Sequence, residues 1–359
     1  MSSVKTGESF DKHKTEAELL MEYHGLTLPA FYSSPESEFD AATNGVALID
    51  RSWIGRIEIT GADRLDLLHR LSTNDLLKSK PGDVVGSVIT TEKGRLIDYV
   101  TLLVGETSIL VLTSPGNEER LSHWIEKYCI MDDVKIASVT SSTALISLLG
   151  PKVGDVAAPV LEANLRPNKF QKVLSAFGGA TVAWEQRSGL NFVDILVDVR
   201  HSTRLWDYIS SKGDRSEIVK VGVMAYEAFR ISQGIPQTGG EISESYNPYE
   251  AGLIGAVSFT KGCYIGQEVI ARLDTYHKVQ RQVVGLVIAE STPGESGGLV
   301  MFNSLEIGVV TSMSPTPIRG KTAALAIVRN GTVKPDDVVT LKFGEQKTEA
   351  TVCEIPIQL

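Results

Sequence analysis

The stretch DVVGSVITTEKGRLIDYVTLLVGETSILVLT, residues 83–113, reads as three strands joined by two tight turns. Asp83 to Thr91 and Leu96 to Val104 are β-rich runs on either side of Glu92-Lys-Gly94. Gly105-Glu-Thr-Ser108 then leads into a third run, Ile109 to Thr113. Turns of this length join antiparallel neighbours, so the segment is a β-meander. Before it, VALIDRSWIGRIEIT (46–60) contains a period-two stretch, Trp53, Gly55, Ile57 and Ile59, expected as a half-buried strand. Gly61 and Asp63 stop that strand and open a helix, RLDLLHRL, with Leu65, Leu68 and Leu71 on one side; Ser72 to Asp75 end it. After the meander, Pro115-Gly-Asn117 opens a helix to about Ile130, with Leu121, Trp124, Ile125 and Tyr128 at the spacing of one face.

Residues 134–221 continue in the same style, with no clear internal repeat. Strands are expected at Val134–Val139, Ala144–Leu149, Ala180–Glu185 and Asn191–Val197. Helices are expected at Lys152–Ala163, Lys169–Phe177, Ser202–Lys212 and Val223–Gln233, the last broken by Gly234-Ile-Pro236. Gln237 to Tyr249 is polar and reads as a loop with little core of its own. Beyond about Val279 helical periodicity vanishes, and short Val/Ile runs alternate with turns, as in a small antiparallel barrel or sandwich. The expected organisation is α+β: residues 1–20 as a frayed tail or isolated helix, a body divided into 21–135 and 136–278, and a β-domain at 279–359 with its boundary close to His277–Gln280.

Composition narrows the function classes. The chain has 359 residues, 42% hydrophobic and 22% charged, with a net charge of −9. Nucleic-acid binders cluster Lys and Arg, so direct DNA binding is not expected. The cysteines, Cys129, Cys263 and Cys353, form no CxxC pair, which argues against a disulfide framework and against a self-contained metal site. No apolar run reaches membrane-spanning length, and residues 1–20 lack the apolar core of a signal peptide, so a cytoplasmic protein without a membrane partner is expected. Neither G-x-x-x-x-G-K-[ST] nor G-x-G-x-x-G occurs.

Chemistry concentrates in Lys261-Gly-Cys-Tyr-Ile-Gly-Gln-Glu268. Thiolate is the reactive form of cysteine, and Lys261, Arg272 and the start of a helix at Gly266 favour it at Cys263. Gln267 and Glu268 bring an amide and a carboxylate to the same segment. The competing reading is an ordinary small buried cysteine. Cys129 and Cys353 read as packing. Asp98 interrupts LIDYVTLLV in step with Leu96, Val100 and Leu102, which suits either a ligand-facing carboxylate or one on a solvated face. Arg230 follows Glu227 by three residues, the spacing of a surface ion pair or of a guanidinium that clamps a ligand carboxylate.

The octapeptide 261–268 closely resembles the signature of the YgfZ family of folate-binding, T-protein-like proteins. Arg230-Ile-Ser-Gln-Gly-Ile-Pro236, Glu241-Ile242 and Pro248 to Leu253 resemble the approach to it in that family and in the glycine-cleavage T-protein. Val46 to Ser52 and Ile59 to Asp75 resemble the family's amino-terminal segments. The resemblance implies a three-part body around a central folate pocket, with a C-terminal β-barrel. It implies tetrahydrofolate or a related folate as cofactor. Asp98 and Tyr99 stand where T-proteins carry an aspartate pair, and Arg230 stands where they carry an arginine near the folate tail. The T-protein glutamate expected near Gly189 to Val193 has no counterpart there. The function implied is an accessory role in iron–sulfur cluster assembly or maintenance, including that of tRNA-modifying enzymes, with iron–sulfur proteins or their assembly factors as partners. In this reading Cys263, Lys261 and Asp98 carry the chemistry. Asp98, Tyr99, Arg230, Glu227, Tyr264 and Gln267 bind the cofactor. The alternatives are a true aminomethyltransferase of glycine cleavage and a non-enzymatic folate sensor or scaffold.

Overall fold

The computed structural model describes residues 15–175, 178–276, 278–289 and 296–359. Among these, eleven strands form one mixed sheet, built from two halves. One half runs Ile218–Lys220, Val46–Asp50, Thr143–Leu149, Leu190–Asp198, Gly178–Arg187, Lys169–Ser175. The other runs Asp83–Thr90, Leu96–Val104, Ser108–Leu112, Arg56–Thr60, Lys135–Ser138. The halves meet at a single antiparallel pair, Lys169 with Asp83.

Period-two alternation distributes the side chains. Val46 and Leu48 pack outward with Ile146, Leu148, Val193 and Ile195 beneath the helices Val153–Leu161 and Ser202–Ser216. Ile57, Val100, Leu102 and Val111 pack beneath the helices Arg64–Leu71 and Glu118–Tyr128. Ala47, Ile49, Leu145, Phe192 and Leu103 face inward, against the helices Pro35–Asn44 and Val223–Ser232. Strands buried on both faces explain why these runs are apolar throughout rather than alternating.

Several sequence expectations are corrected. Residues 1–14 of the expected tail lie outside the described residues, but Leu19–Tyr23 pairs with Leu26–Phe31 in a hairpin. The run 46–60 is two strands separated by a turn at Arg51–Gly55. Lys169–Ser175 is a strand, not a helix; residues 176–177 of that expected helix lie outside the described residues. Phe170, Val173 and Leu174 have helical spacing, yet residue-by-residue pairing with Gly178–Trp184 supplies the backbone hydrogen bonds and leaves Leu174 exposed. The polar stretch 237–249 is no surface loop: Glu241, Ile242, Tyr246 and Asn247 are buried. It is clasped between body and barrel, with the Leu96 N–H donating to Tyr246 O and the Thr311 hydroxyl to Glu241.

The strands Arg281–Ile288, Leu299–Phe302, Leu305–Met313, Thr322–Arg329, Val338–Phe343 and Gln346–Cys353 close into a barrel, resolving the barrel-or-sandwich expectation. Closure removes free strand edges.

Two residues seat the amino-terminal hairpin. Buried Glu38 accepts from the N–H groups of Tyr32, Ser33 and Gly222, joining three segments. Gly222 lies so close to the hairpin that a Cβ there would sit 2.4 Å from Ala30 O and 2.7 Å from Phe31 Cα. Gly222→Ala is therefore expected to lower stability by about 2 kcal/mol, the usual scale of overpacking. A urea unfolding midpoint equal to that of the parent chain would contradict the packing described.

Candidate functional site

The inner sheet face that supplies the apolar core also carries a band of polar side chains. Tyr99 and Thr101 alternate with outward-facing Asp98 and Val100. Glu185 and Arg187 share one strand, Asp194 lies on the next, and Ser147 on the one beyond. Helix Val223–Ser232 lies over them and adds Tyr226 and Arg230.

These residues enclose a two-lobed cavity. The inner lobe, about 60 Å³, is lined by Arg51, Thr101, Glu185, Asp194, Tyr226 and Arg230. The outer lobe, about 430 Å³, is lined by Asn74, Gly86, Gln186, Ser188, Gly252 and Ala256 among others. Tyr99, Arg187, Ile235 and Pro236 belong to both and form the neck. A wider cleft of about 1100 Å³ opens nearby, between the hairpin residues His24 and Leu26 and the helix Glu118–Tyr128. It lacks the convergence of buried opposite charges that marks the two lobes.

The cavity's charges are largely paired. Arg51 Nη1 lies 3.1 Å from Asp194 Oδ1, and the Ser147 hydroxyl donates to the same carboxylate at 2.5 Å. Arg230 grips Glu227 through Nε and Nη2, each at 2.8 Å, and donates to Ile235 O at 2.7 Å. Tyr99 and Thr101 hydroxyls donate to opposite oxygens of Glu185, at 2.9 and 3.1 Å. A Cβ on Gly86 would fall 2.1 Å from the Tyr99 hydroxyl, so glycine is required there for this contact. The Arg187 guanidinium lies over the Tyr99 ring, 4.4 Å from its centroid. Burial tends to raise the Glu227 pKa, but adjacent Arg230 outweighs it and holds the carboxyl below its ordinary range. Burial raises the Asp194 pKa against the opposing pull of Arg51. One donor stands unmatched: Arg51 Nε is buried without a hydrogen-bond partner.

Sequence-predicted residues divide between the cavity and its surroundings. Tyr99 and Arg230 line the cavity, and Glu227 stands directly behind Arg230. The Arg230–Glu227 pair exists but is buried, not on the surface. Asp98 is fully buried, which rules out the solvated-face alternative. It lines neither lobe; its carboxylate accepts the Ser114 N–H at 3.1 Å and so pins the turn that starts the helix Glu118–Tyr128. Burial pushes the Asp98 pKa up to about 6, against the Ser114 and Asn117 hydrogen bonds. Its expected register with Leu96 is also corrected: a ladder irregularity skips Ile97, and Leu96 packs with Tyr99 instead.

The octapeptide lies outside both lobes, in the segment leading to the helix Gln267–Tyr276. Cys263 is exposed, which removes the buried-cysteine alternative. Lys261 is buried, and its ammonium donates to His69 O, Ser72 O and Asn74 O at 2.6, 2.6 and 2.9 Å. All three donors are thus engaged, making Lys261 an anchor for the loop. Burial lowers its pKa to about 8, with Asp75 opposing. Tyr264 is buried, its pKa raised to about 12 by that burial, and Gln267 begins the helix. Arg272, expected as a nearby cation, pairs with Glu268 at 2.6 Å.

Sequence reasoning missed Arg51, Glu185, Arg187 and Asp194. No glutamate stands at 189–193, yet the cavity does not lack carboxylates. Glu185 on one strand and Asp194 on the next provide two. Asp194 carried the same signal as Asp98, an acid within an apolar strand.

A model of the GCVT N-terminal domain matches residues 9–261, and the glycine cleavage T-protein C-terminal barrel domain matches residues 281–357. The chain belongs to the glycine cleavage T-protein family. An aminomethyltransferase of Herpetosiphon aurantiacus is 27% identical over 96% of both chains. One of Thermotoga maritima is 25% identical, covering 98% of this chain and 97% of its own. The solved structure of glycine cleavage system aminomethyltransferase T from Bartonella henselae superposes with a TM-score of 0.83 at 20% identity, covering 99% of this chain and 98% of that one. The family fold therefore extends through body and barrel. Among the described residues no helix is long and apolar enough to cross a membrane.

Two substitutions test the assignments. An acid whose pKa is raised on folding favours the folded state less as pH rises from its unfolded value, 3.8, toward about 6. Asp98→Asn removes this penalty while keeping an acceptor for the Ser114 N–H. The stability difference, variant minus parent, is expected to grow in the variant's favour between pH 4 and 7; a flat difference counts against a buried titrating Asp98. Lys261→Met strands three carbonyls and is expected to cost on the order of 3 kcal/mol. Unchanged thermal unfolding would rule out the anchoring role.

Proposed function

We propose that this chain binds tetrahydrofolate or a related folate in the two-lobed cavity and serves iron–sulfur enzymes as an accessory protein through Cys263. The observation that carries the binding half is the donor set. The buried, unmatched Arg51 Nε and the carboxylates of Glu185 and Asp194 suit the alternating donor and acceptor edge of a pterin. The flat Tyr99–Arg187 stack at the neck suits an aromatic linker, and the outer lobe gives room for a polar tail. When bound, a reduced folate supplies nitrogens that carry one-carbon units. The chain's own residues orient it: Glu185 is fixed by Tyr99 and Thr101, and Arg230 by Glu227 and Ile235. Tyr264 and Gln267, expected as cofactor contacts, belong to the thiol segment in this reading.

The thiol half rests on the resemblance at 261–268 together with an exposed Cys263 on an anchored loop. A single thiolate does not hold a cluster, so transient sulfur or ligand exchange suits it better. Asp98, behind the cavity wall, then serves as structure rather than as an acid that touches folate. This favours the accessory reading over aminomethyl transfer, in which Asp98 would orient the attacking folate nitrogen. The second reading, an aminomethyltransferase, is favoured by the full-length relatives that bear that name.

Titration calorimetry with tetrahydrofolate is expected to show Glu185→Gln binding about tenfold more weakly, the weight of one lost charge-assisted hydrogen bond. Cys263→Ala is expected to keep folate affinity and to lose rescue of iron–sulfur enzyme activity in cells lacking the gene. Full rescue by Cys263→Ala would refute the thiol role. Methylene-tetrahydrofolate formation at ordinary turnover with the other glycine-cleavage components would establish the second reading instead.

A further inference from the structure

We propose that His69 is the proton acceptor for thiol chemistry at Cys263. The inference rests on the reading of Cys263 as a reactive thiol and adds the group that makes it so.

His69 sits in the last turn of the helix Arg64–Leu71 and is only 5% exposed. An ordinary core histidine satisfies its ring nitrogens. This one does not: Nδ1 is buried and makes no hydrogen bond, lying 3.6 Å from Asp75 Oδ1. Nε2, at the other side of the ring, is directed at the octapeptide. A Cβ placed on Gly262 would lie 3.7 Å from it. Gly262 and Cys263 are exposed, while Lys261 and Tyr264 on either side are buried. The imidazole therefore underlies the short exposed strip that contains the thiol, and the missing side chain at 262 keeps that approach open.

Lys261 makes the juxtaposition rigid. Its ammonium donates to the main-chain oxygen of His69 itself, fixing the loop to the residue that carries the imidazole. The charged groups around the ring set its state. Burial and the Lys261 ammonium lower the His69 pKa, while Asp75 and Asp66 oppose them; the net shift is downward from 6.5. Lys78, on the same turn as Asp75, ties that carboxylate at 2.7 Å. The imidazole is thus neutral at neutral pH, and a proton on Nδ1 beside Asp75 leaves the lone pair on Nε2. A neutral imidazole underlying the strip that carries a thiol fits the role of its general base.

The step balances as thiol–disulfide exchange. The Cys263 S–H proton passes to His69 Nε2 while Sγ bonds to one sulfur of an incoming disulfide. The disulfide bond breaks, and the departing thiolate takes the proton back from the imidazolium. The products are a mixed disulfide on Cys263 and one free thiol, with no net redox change.

The test is the rate of carbamidomethylation of Cys263 by iodoacetamide, followed on the Cys263 peptide by mass spectrometry across pH 5 to 10. The intact parent chain is expected to show two steps: thiol ionisation, and a lower step below the ordinary histidine value of 6.5. His69→Gln is expected to abolish the lower step and slow the reaction near neutrality about tenfold, the effect of one pKa unit. Superimposable parent and variant profiles would overturn the proposal. Should His69→Gln fail to fold, the parent profile decides alone, since a single thiol-type step refutes His69 participation. These rates are read without folate or client enzymes. Failure of the cellular role of Cys263 is therefore seen separately, as full rescue by Cys263→Ala.

Discussion

Burying opposite charges together under one sheet face is the constraint on which this molecule's central cavity depends. An isolated ion in a protein interior costs several kcal/mol, and even a paired one repays that cost only with good geometry and further hydrogen bonds. Arg51 meets Asp194 and Ser147; Arg230 meets Glu227 and Ile235; Glu185 meets Tyr99 and Thr101. The first and third sets tie strands distant in sequence and form only as the sheet assembles, whereas Arg230 and Glu227 pair within one helix that packs over them. Removing one partner leaves a buried charge uncompensated, so the polar band resists piecemeal change. Such sets are weak sources of net stability. Their position around a cavity points to binding.

The meander at 83–113 was legible because its turns are short and its strands β-rich, and the helices at 64–71 and 118–128 because each shows a clear apolar stripe. The misread at Lys169–Ser175 has a local cause. An edge-like hairpin strand with one exposed leucine shows the same spacing of apolar residues as a helical face, and only its partner strand distinguishes them. The polar loop 237–249 failed for the opposite reason. Its burial depends on long-range contacts with Leu96 and Thr311, which local composition does not carry.

The site was legible in part, along the same division. Arg230 with Glu227 was visible as a pair because both lie on one helix, though spacing does not reveal burial. Tyr99 and Asp98 were visible as a doublet in a strand. Which of the two faces the cavity depends on what covers each sheet face: Asp98 keeps step with Val100 and Leu102 beneath the outer helices, while Tyr99 and Thr101 face the cavity, and local sequence does not carry that choice. Glu185 and Arg187 carry no local signal of a site in the sequence. They acquire meaning only when the two halves of the sheet bring Tyr99 opposite them.

The thiol loop and the cavity are separate places, yet they share a wall. Asn74 lines the outer lobe, and its main-chain oxygen accepts from Lys261. Asn74 also donates to Gly86 O in the same lobe, and Thr73 donates to Ala256 O beside it. Residues 72–75 and 256–261 are therefore stitched into one unit, with the outer lobe on one side and the exposed strip of Gly262 and Cys263 on the other. A ligand in that lobe touches the element that positions the thiol, without touching the thiol. The Lys261 ammonium links both Asn74 and His69 to the octapeptide. That is the physical reason for a buried lysine two residues before an exposed cysteine: its charge is used to hold the geometry, and the acid–base work is left to a neutral ring.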